Sequence, residues 1–304
     1  FPGTSYIGHN GDAHSWPVND QNGKHINFYE QNDFGGPKSY HVFGKPADFF
    51  GAYWHDDHTG MVRYGAYDDK AGRKIWIWGL SQQGMIWEEL LTDKDGQYVE
   101  IQSGRLFNQN SSASSYTPFK HIAFAPYATD TWKEYWYPVS QTHGISKANP
   151  YGALNVKYEQ GYLKVYFSAA QFIREKLIVK SGDRTVYNKH LDLSPLQVFA
   201  DSVQVDMNAK NIVATLGENK LVYHSDPQFE SLARPVKSPE NFNWNTVYGL
   251  YLQGKEYMDQ KMFVSAEEKL REALVRDGNF LPAVVKMAEL MYRNMRYTEA
   301  LEWA

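Results

Sequence analysis

The spacing of apolar residues changes period once along this chain, and that change limits what it can fold into. Up to about residue 226, short runs of alternating apolar and polar side chains are separated by turn-forming clusters such as Asn19-Asp20-Gln21-Asn22-Gly23 and Asp33-Phe34-Gly35-Gly36-Pro37. Alternation with that punctuation reads as β-strands. After a loop from Pro227 to Pro239 the spacing becomes helical, and small and apolar residues recur about 34 residues apart. The expected class is mainly β with an α-helical C-terminus.

Three regions follow. Residues 1–155 carry short strands; Ile75 and Ile77 oppose Trp76 and Trp78, so both faces of that strand are apolar and it should lie between two layers of a sandwich. In residues 156–226, Leu163–Phe167, Lys176–Lys180, Val203–Asp206 and Ile212–Leu216 each suit a half-buried strand. Ser181-Gly182-Asp183 and Gly217-Glu218-Asn219 mark turns, and the spacing fits a small immunoglobulin-like sandwich that supports rather than reacts. Residues 227–240 read as a linker and 241–304 as tetratricopeptide helix pairs. Gly254 and Tyr257 take the small and aromatic places of a first helix, and Ala266, Leu270 and Ala273 those of a second. One period on, Ala288 and Ala300 fall opposite Gly254 and Ala266, Pro282 opens a helix, and Met291 holds the aromatic place. Phe1-Pro2-Gly3-Thr4 is not a natural start and Leu301–Ala304 break off within a helical pattern, so the chain reads as part of a longer protein.

Composition restricts the partners. The formal charge of the 304 residues is −4, with no basic block, which argues against nucleic acid and anionic membrane. No stretch approaches the ~20 apolar residues of a membrane span. The chain has no cysteine, which excludes disulfides and thiolate metal sites. Seven of nine tryptophans and eight of ten histidines precede residue 144, so candidate chemistry lies in the first region. No nucleophile elbow, phosphate loop or dinucleotide fingerprint is present, and no cofactor is called for.

The leading candidate is Tyr98-Val99-Glu100-Ile101-Gln102-Ser103-Gly104. In an extended chain Tyr98, Glu100 and Gln102 share one side. A carboxylate between a phenol and an amide suits a hydroxyl-rich ligand and can also move protons; the plainer reading is a strand face turned to water.

The run Gly72–Gly79, together with Gly84–Asp93, Tyr98–Gly104 and Trp132–Pro138, resembles the C-terminal half of an uncharacterised bacterial domain family often fused to tetratricopeptide repeats. That family is in turn similar to galactose mutarotase-like β-supersandwiches. The resemblance implies a partial supersandwich over residues 1–155, with a Glu followed two places on by Gln acting as base at a sugar's anomeric centre. Glu100 and Gln102 match that pair. Ile101 departs from the usual Pro or Thr between them, Asn108-Gln109-Asn110 only loosely matches the polar segment that follows, and the histidine acid of an earlier strand is not placed.

Other candidates surround this pair. Trp54-His55-Asp56-Asp57-His58 has two histidines flanking carboxylates; metal ligation would need a helix, whereas Gly51 and Gly60 suggest a loop or strand end, leaving sugar contact and a solvated loop. Trp16, after the turn His9–Ser15, is placed to stack on a sugar ring. Arg63 and Arg73 are placed to clamp a hydroxyl or carboxylate or to form structural ion pairs. Glu88, Glu89 and Glu134 are candidates for a second carboxylate, with the surface as the alternative. The resulting expectation is a carbohydrate-active protein binding an oligosaccharide through Trp16, Trp54, His55, His58, Arg63, Arg73, Tyr98 and Gln102, with Glu100 catalytic. Glycoside hydrolysis is preferred to aldose 1-epimerase activity or to glycan binding or scaffolding without turnover. A protein partner is expected on the repeats, and a periplasmic or secreted setting suits this reading better than the cytoplasm.

Overall fold

The computed structural model describes all residues except 9–12, 34, 94, 105–125, 207–210, 231–240 and 260. The chain is mainly β with a C-terminal region of four helices, and it divides into two compact units, one holding every described strand and the other the C-terminal helices.

The β unit opens with a five-stranded sheet. Its strands are β1 (Ser5–Ile7), β2 (His14–Ser15), β3 (Lys38–Phe43), β6 (Gly72–Ile77) and β7 (Val99–Gly104), in the order β2-β1-β3-β6-β7. One face packs Tyr6, Tyr40, Val42 and Ile77 with Trp16 and Ile26. A second, three-stranded sheet is built from β4 (Phe49–Trp54), β5 (Thr59–Tyr64) and β8 (Tyr135–Ser140) in that order. Between β6 and β7, helix α1 (Gln82–Leu90) lies on Trp78: a Cβ added at Gly84 would come within 2.5 Å of the Trp78 Cβ, so only glycine allows this approach.

Strands β9 (Lys147–Asn149), β10 (Gly152–Glu159), β11 (Tyr162–Ala169) and β14 (Val198–Gln204) form one sheet, ordered β14-β11-β10-β9. Strands β12 (Ile173–Ser181), β13 (Arg184–Leu193), β15 (Ile212–Leu216) and β16 (Leu221–His224) form another, ordered β13-β12-β15-β16. The chain crosses between these sheets after β11, β13 and β14, a Greek-key path of the kind expected for an immunoglobulin-like sandwich. The turn between β10 and β11 has Gln160 and Gly161 both at positive φ, as a two-residue hairpin of matching twist requires. Leu154, Val165, Phe167, Leu177 and Leu216 are fully buried between the sheets, each worth about 1.5–3 kcal/mol of burial.

The expected boundary at 155/156 falls inside β10. Leu154 faces the sandwich core, while its neighbour Ala153, with Ala148 of β9, faces Phe49, Val62 and Val139 of the three-stranded sheet. The β9–β10 side is therefore covered on both faces, and the second sandwich begins at Lys147 rather than 156.

In the helical unit, α2 (Val247–Asp259) and α3 (Phe263–Arg276) form one hairpin, followed by α4 (Leu281–Arg293) and α5 (Tyr297–Trp303). The starts of α2 and α4, and of α3 and α5, are separated by the same ~34-residue period read from the sequence. Leu250, Ala266, Leu270, Ala273, Met287 and Met291 are buried between them.

Candidate functional site

The register of three neighbouring strands assembles the site. Glu100 of β7 pairs with Trp76 of β6, which pairs with Ser39 of β3; Gln102 pairs with Lys74, which pairs with His41. Alternate residues share a face, so these six side chains form two rows on one side of the sheet. The other side carries Tyr40, Ile75, Ile77 and Val99 into the core.

Within the grid, the Gln102 amide donates to the Glu100 carboxylate, and the Tyr98 hydroxyl bonds to the same carboxylate. Burial, reinforced by the Glu100 charge and by this bond, raises the Tyr98 phenol above its ordinary value. Burial lowers the Lys74 ammonium, with Glu100 opposing the shift. The Lys74 Nζ lies 5.2 Å from the centre of the Trp76 ring. Trp76 meets Trp78 edge-on at 5.8 Å, and Trp78 stacks on Trp87 of α1 at 5.9 Å. An aromatic wall thus continues from the polar grid. Among the described residues of β3, β6 and β7, Glu100 is the one carboxylate.

Glu134 occupies a different environment. It accepts hydrogen bonds from Ser103 Oγ at 2.8 Å, Trp136 Nε1 at 2.9 Å and Arg63 at 3.1 Å. Burial pushes its carboxyl up, but the bonds from Ser103, Trp136 and Arg63 outweigh it and hold the group below its ordinary value. Since Ser103 and Glu100 are three apart on one strand, Glu134 bonds to the opposite face of β7 from Glu100. It is a bridge between sheets and not a partner for Glu100 across a shared ligand. Glu89 is exposed and Glu88 half-buried on α1.

Several sequence expectations are corrected. Trp16 packs in the core, with its indole N–H bonded to the Phe1 carbonyl at 2.9 Å, so its ring is not free to stack on a sugar. Arg63 and Arg73 are each 2% exposed: Arg63 is committed to Glu134 and the Gly65 carbonyl, and Arg73 to the Pro2 and Lys45 carbonyls. Buried guanidiniums held this way brace the backbone rather than clamp a ligand. Trp54 is 46% exposed at the end of β4, and His55 and His58 are exposed on the β4–β5 turn, on a different sheet from Glu100, Tyr98 and Gln102. The His58 ring meets His143 at 5.1 Å. Among the described residues no three His, Asp or Glu side chains converge as a metal site would require. Asn108–Asn110 and His9–Asp12 lie outside the described residues.

Sequence reasoning missed Lys74 and read Trp76 as core. Lys74 is a polar residue on a strand whose other face is apolar, but only strand pairing places it beside Gln102; it is buried, as are His41, which bonds to the Ile7 carbonyl at 3.1 Å, and Ser39.

A sandwich-rich β unit with a polar, tryptophan-walled sheet face, carried with a helical-repeat unit, is the class these features define. Residues 1–139 match a family described as a domain of unknown function (DUF5107). A solved structure described as a TPR-domain containing protein from Parabacteroides distasonis ATCC 8503 aligns over 100% of this chain, at 16% identity and a TM-score of 0.31. This chain spans 45% of that protein's length. No described helix is long and apolar enough to cross a membrane.

Proposed function

We propose that this chain is carbohydrate-active and that the β3–β6–β7 face is its sugar site. The observation that supports this most is Glu100, held by Gln102 and Tyr98 directly across from the Trp76 ring. A pyranose ring needs an apolar surface for its C–H face and polar groups for its hydroxyls; Trp76 offers the first, and Gln102 and Tyr98 the second, with the buried Lys74 behind them. Glu100 then has the position of an acid/base group at the anomeric carbon. Cleavage of a glycosidic bond is the reaction we assign first, in a protein whose helical repeats hold a peptide or protein partner. The mutarotase-like supersandwich is part of this reading, and the Glu100–Gln102 pair supports anomer exchange as the second reaction.

Three measurements on the purified protein separate the readings. Reducing-sugar release from a panel of polysaccharides supports hydrolysis. Accelerated polarimetric decay of a fresh α-anomer supports exchange. Sugar binding with neither reaction supports a non-catalytic glycan-binding protein. Absence of both reactions and of sugar binding overturns the proposal.

A further inference from the structure

The other face of the three-stranded sheet is open to solvent in part: Phe50 and Arg63 at one end are buried, while Trp54, Thr59, Met61, Trp136 and Pro138 are exposed. Its register places Trp54, Thr59 and Ser140 in one row, Ala52, Met61 and Pro138 in the next, and Phe50, Arg63 and Trp136 in the third. Trp54 is 46% exposed, Trp136 43% and Met61 37%. Strand geometry separates the Cα atoms of Trp54 and Trp136 by about 16 Å, being two strands and four residues apart. The face is therefore an apolar strip with an indole at each end.

Two observations bear on its occupant. Among the described residues of β4, β5 and β8, Arg63 is the only charged side chain that the register places on this face, and it is buried, so the strip between the two indoles is neutral: a thioether, a proline ring and two hydroxyls, with Glu134 beside Trp136 and the exposed Asp56 and Asp57 beyond Trp54 at its ends. The exposed Trp136 ring is also held in place from below. Its edge is bonded to Glu134, Glu134 is bonded to the buried Arg63, and the ring stands at 88° on Phe50, over which Arg63 also lies. A buried ion pair that orients an exposed ring reduces the entropy lost when a flat ligand settles on it.

We propose that this face is a second glycan-binding platform, separate from the Glu100 site, which takes a neutral oligosaccharide chain several rings long laid between Trp54 and Trp136. Neutrality of the strip complements a neutral chain, and stacking at two ends suits a repeating ligand more than a single sugar.

Affinity electrophoresis of the whole chain tests this, with hydroxyethylcellulose, galactomannan, xylan and soluble starch as neutral probes and polygalacturonate as the acidic one. At least one neutral polymer should retard the protein. Trp54→Ala and Trp136→Ala should each weaken retention about 10-fold, and together should weaken it more than either alone, while Phe172→Ala in the second sandwich leaves it in place. Urea midpoints confirm that each variant is folded; Trp54→Phe and Trp136→Phe replace any alanine variant that is not. The platform is overturned if no neutral polymer retards the protein, if the folded double variant is retarded as before, if Trp76→Ala alone removes retention, or if polygalacturonate is held as strongly as the neutral chains.

Discussion

Ser103 on β7 donates a 2.8 Å hydrogen bond to Glu134, just ahead of β8, and so joins the outer strand of the five-stranded sheet to the three-stranded sheet. The same carboxylate takes the guanidinium of Arg63 from β5. Two sheets therefore share one charge pair, on the side of β7 away from Glu100.

This arrangement gives the first prediction. Arg63→Met should cost about 3–5 kcal/mol, because it leaves Glu134 charged, mostly buried and unmatched. Glu134→Gln keeps an acceptor for Ser103 and should also destabilise. Urea denaturation followed by tryptophan fluorescence measures both; an Arg63 variant within about 0.5 kcal/mol of the parent would show that the pair does not join the sheets.

Acid should act through the same group. The Glu134 carboxyl is held below its ordinary value of 4.5, so the unfolded chain binds a proton there more readily than the folded one. Its stabilisation is complete above about pH 4.5 and is lost as pH falls through the depressed value. Comparing unfolding near neutral pH with unfolding at about pH 4, the loss on acidification should be smaller in Glu134→Gln than in the parent. Equal losses would mean the carboxyl titrates as it does in the unfolded chain.

Turnover should depend on Glu100. Glu100→Gln preserves the shape of the row with Gln102 and should leave the urea midpoint nearly unchanged, while lowering the rate on an identified substrate at least ~100-fold. A folded variant with unchanged rate would remove Glu100 from the reaction.

Two tryptophans of similar sequence standing should separate. Trp16→Ala removes a core side chain and should cost about 3–5 kcal/mol. Trp54→Ala removes a half-exposed one and should stay within about 1 kcal/mol, its cost appearing in ligand affinity instead. Denaturant midpoints for the pair decide the matter.

In the helical unit, a Cβ added at Gly254 would lie 2.7 Å from the Leu270 Cγ. Gly254→Val should therefore overpack α2 against α3 and cost about 1–3 kcal/mol, read as a lower melting temperature in the far-ultraviolet helical signal. An unchanged melt would mean that α2 and α3 can separate without loss.

What could be read from sequence depended on whether a strand has one wet face. Tyr98, Glu100 and Gln102 were legible because Val99 and Ile101 alternate with them. β10 was not: Gly152 to Val156 are consecutively buried, since one face meets the second sandwich and the other the three-stranded sheet, and no alternation survives. β13 was missed for the opposite reason, being largely exposed along its length. The burial of Arg63 and Arg73 follows from partners distant in sequence, which residue type alone does not disclose. Lys74 comes beside Gln102 only through pairing of β6 and β7.

Among the described strands β7 lies at the end of its sheet order, where β6 sets its alignment. Side chains alternate with a period of two, and a slip of one residue would send Ile101 to the grid and turn Glu100 toward the apolar core. The cost of burying that carboxylate beside Ile75 and Ile77 opposes the slip. Val99 and Ile101, on the face away from Glu100, thereby act as the alignment marks of the site: replacing either with a charged residue would weaken the preference for the one register that presents Glu100.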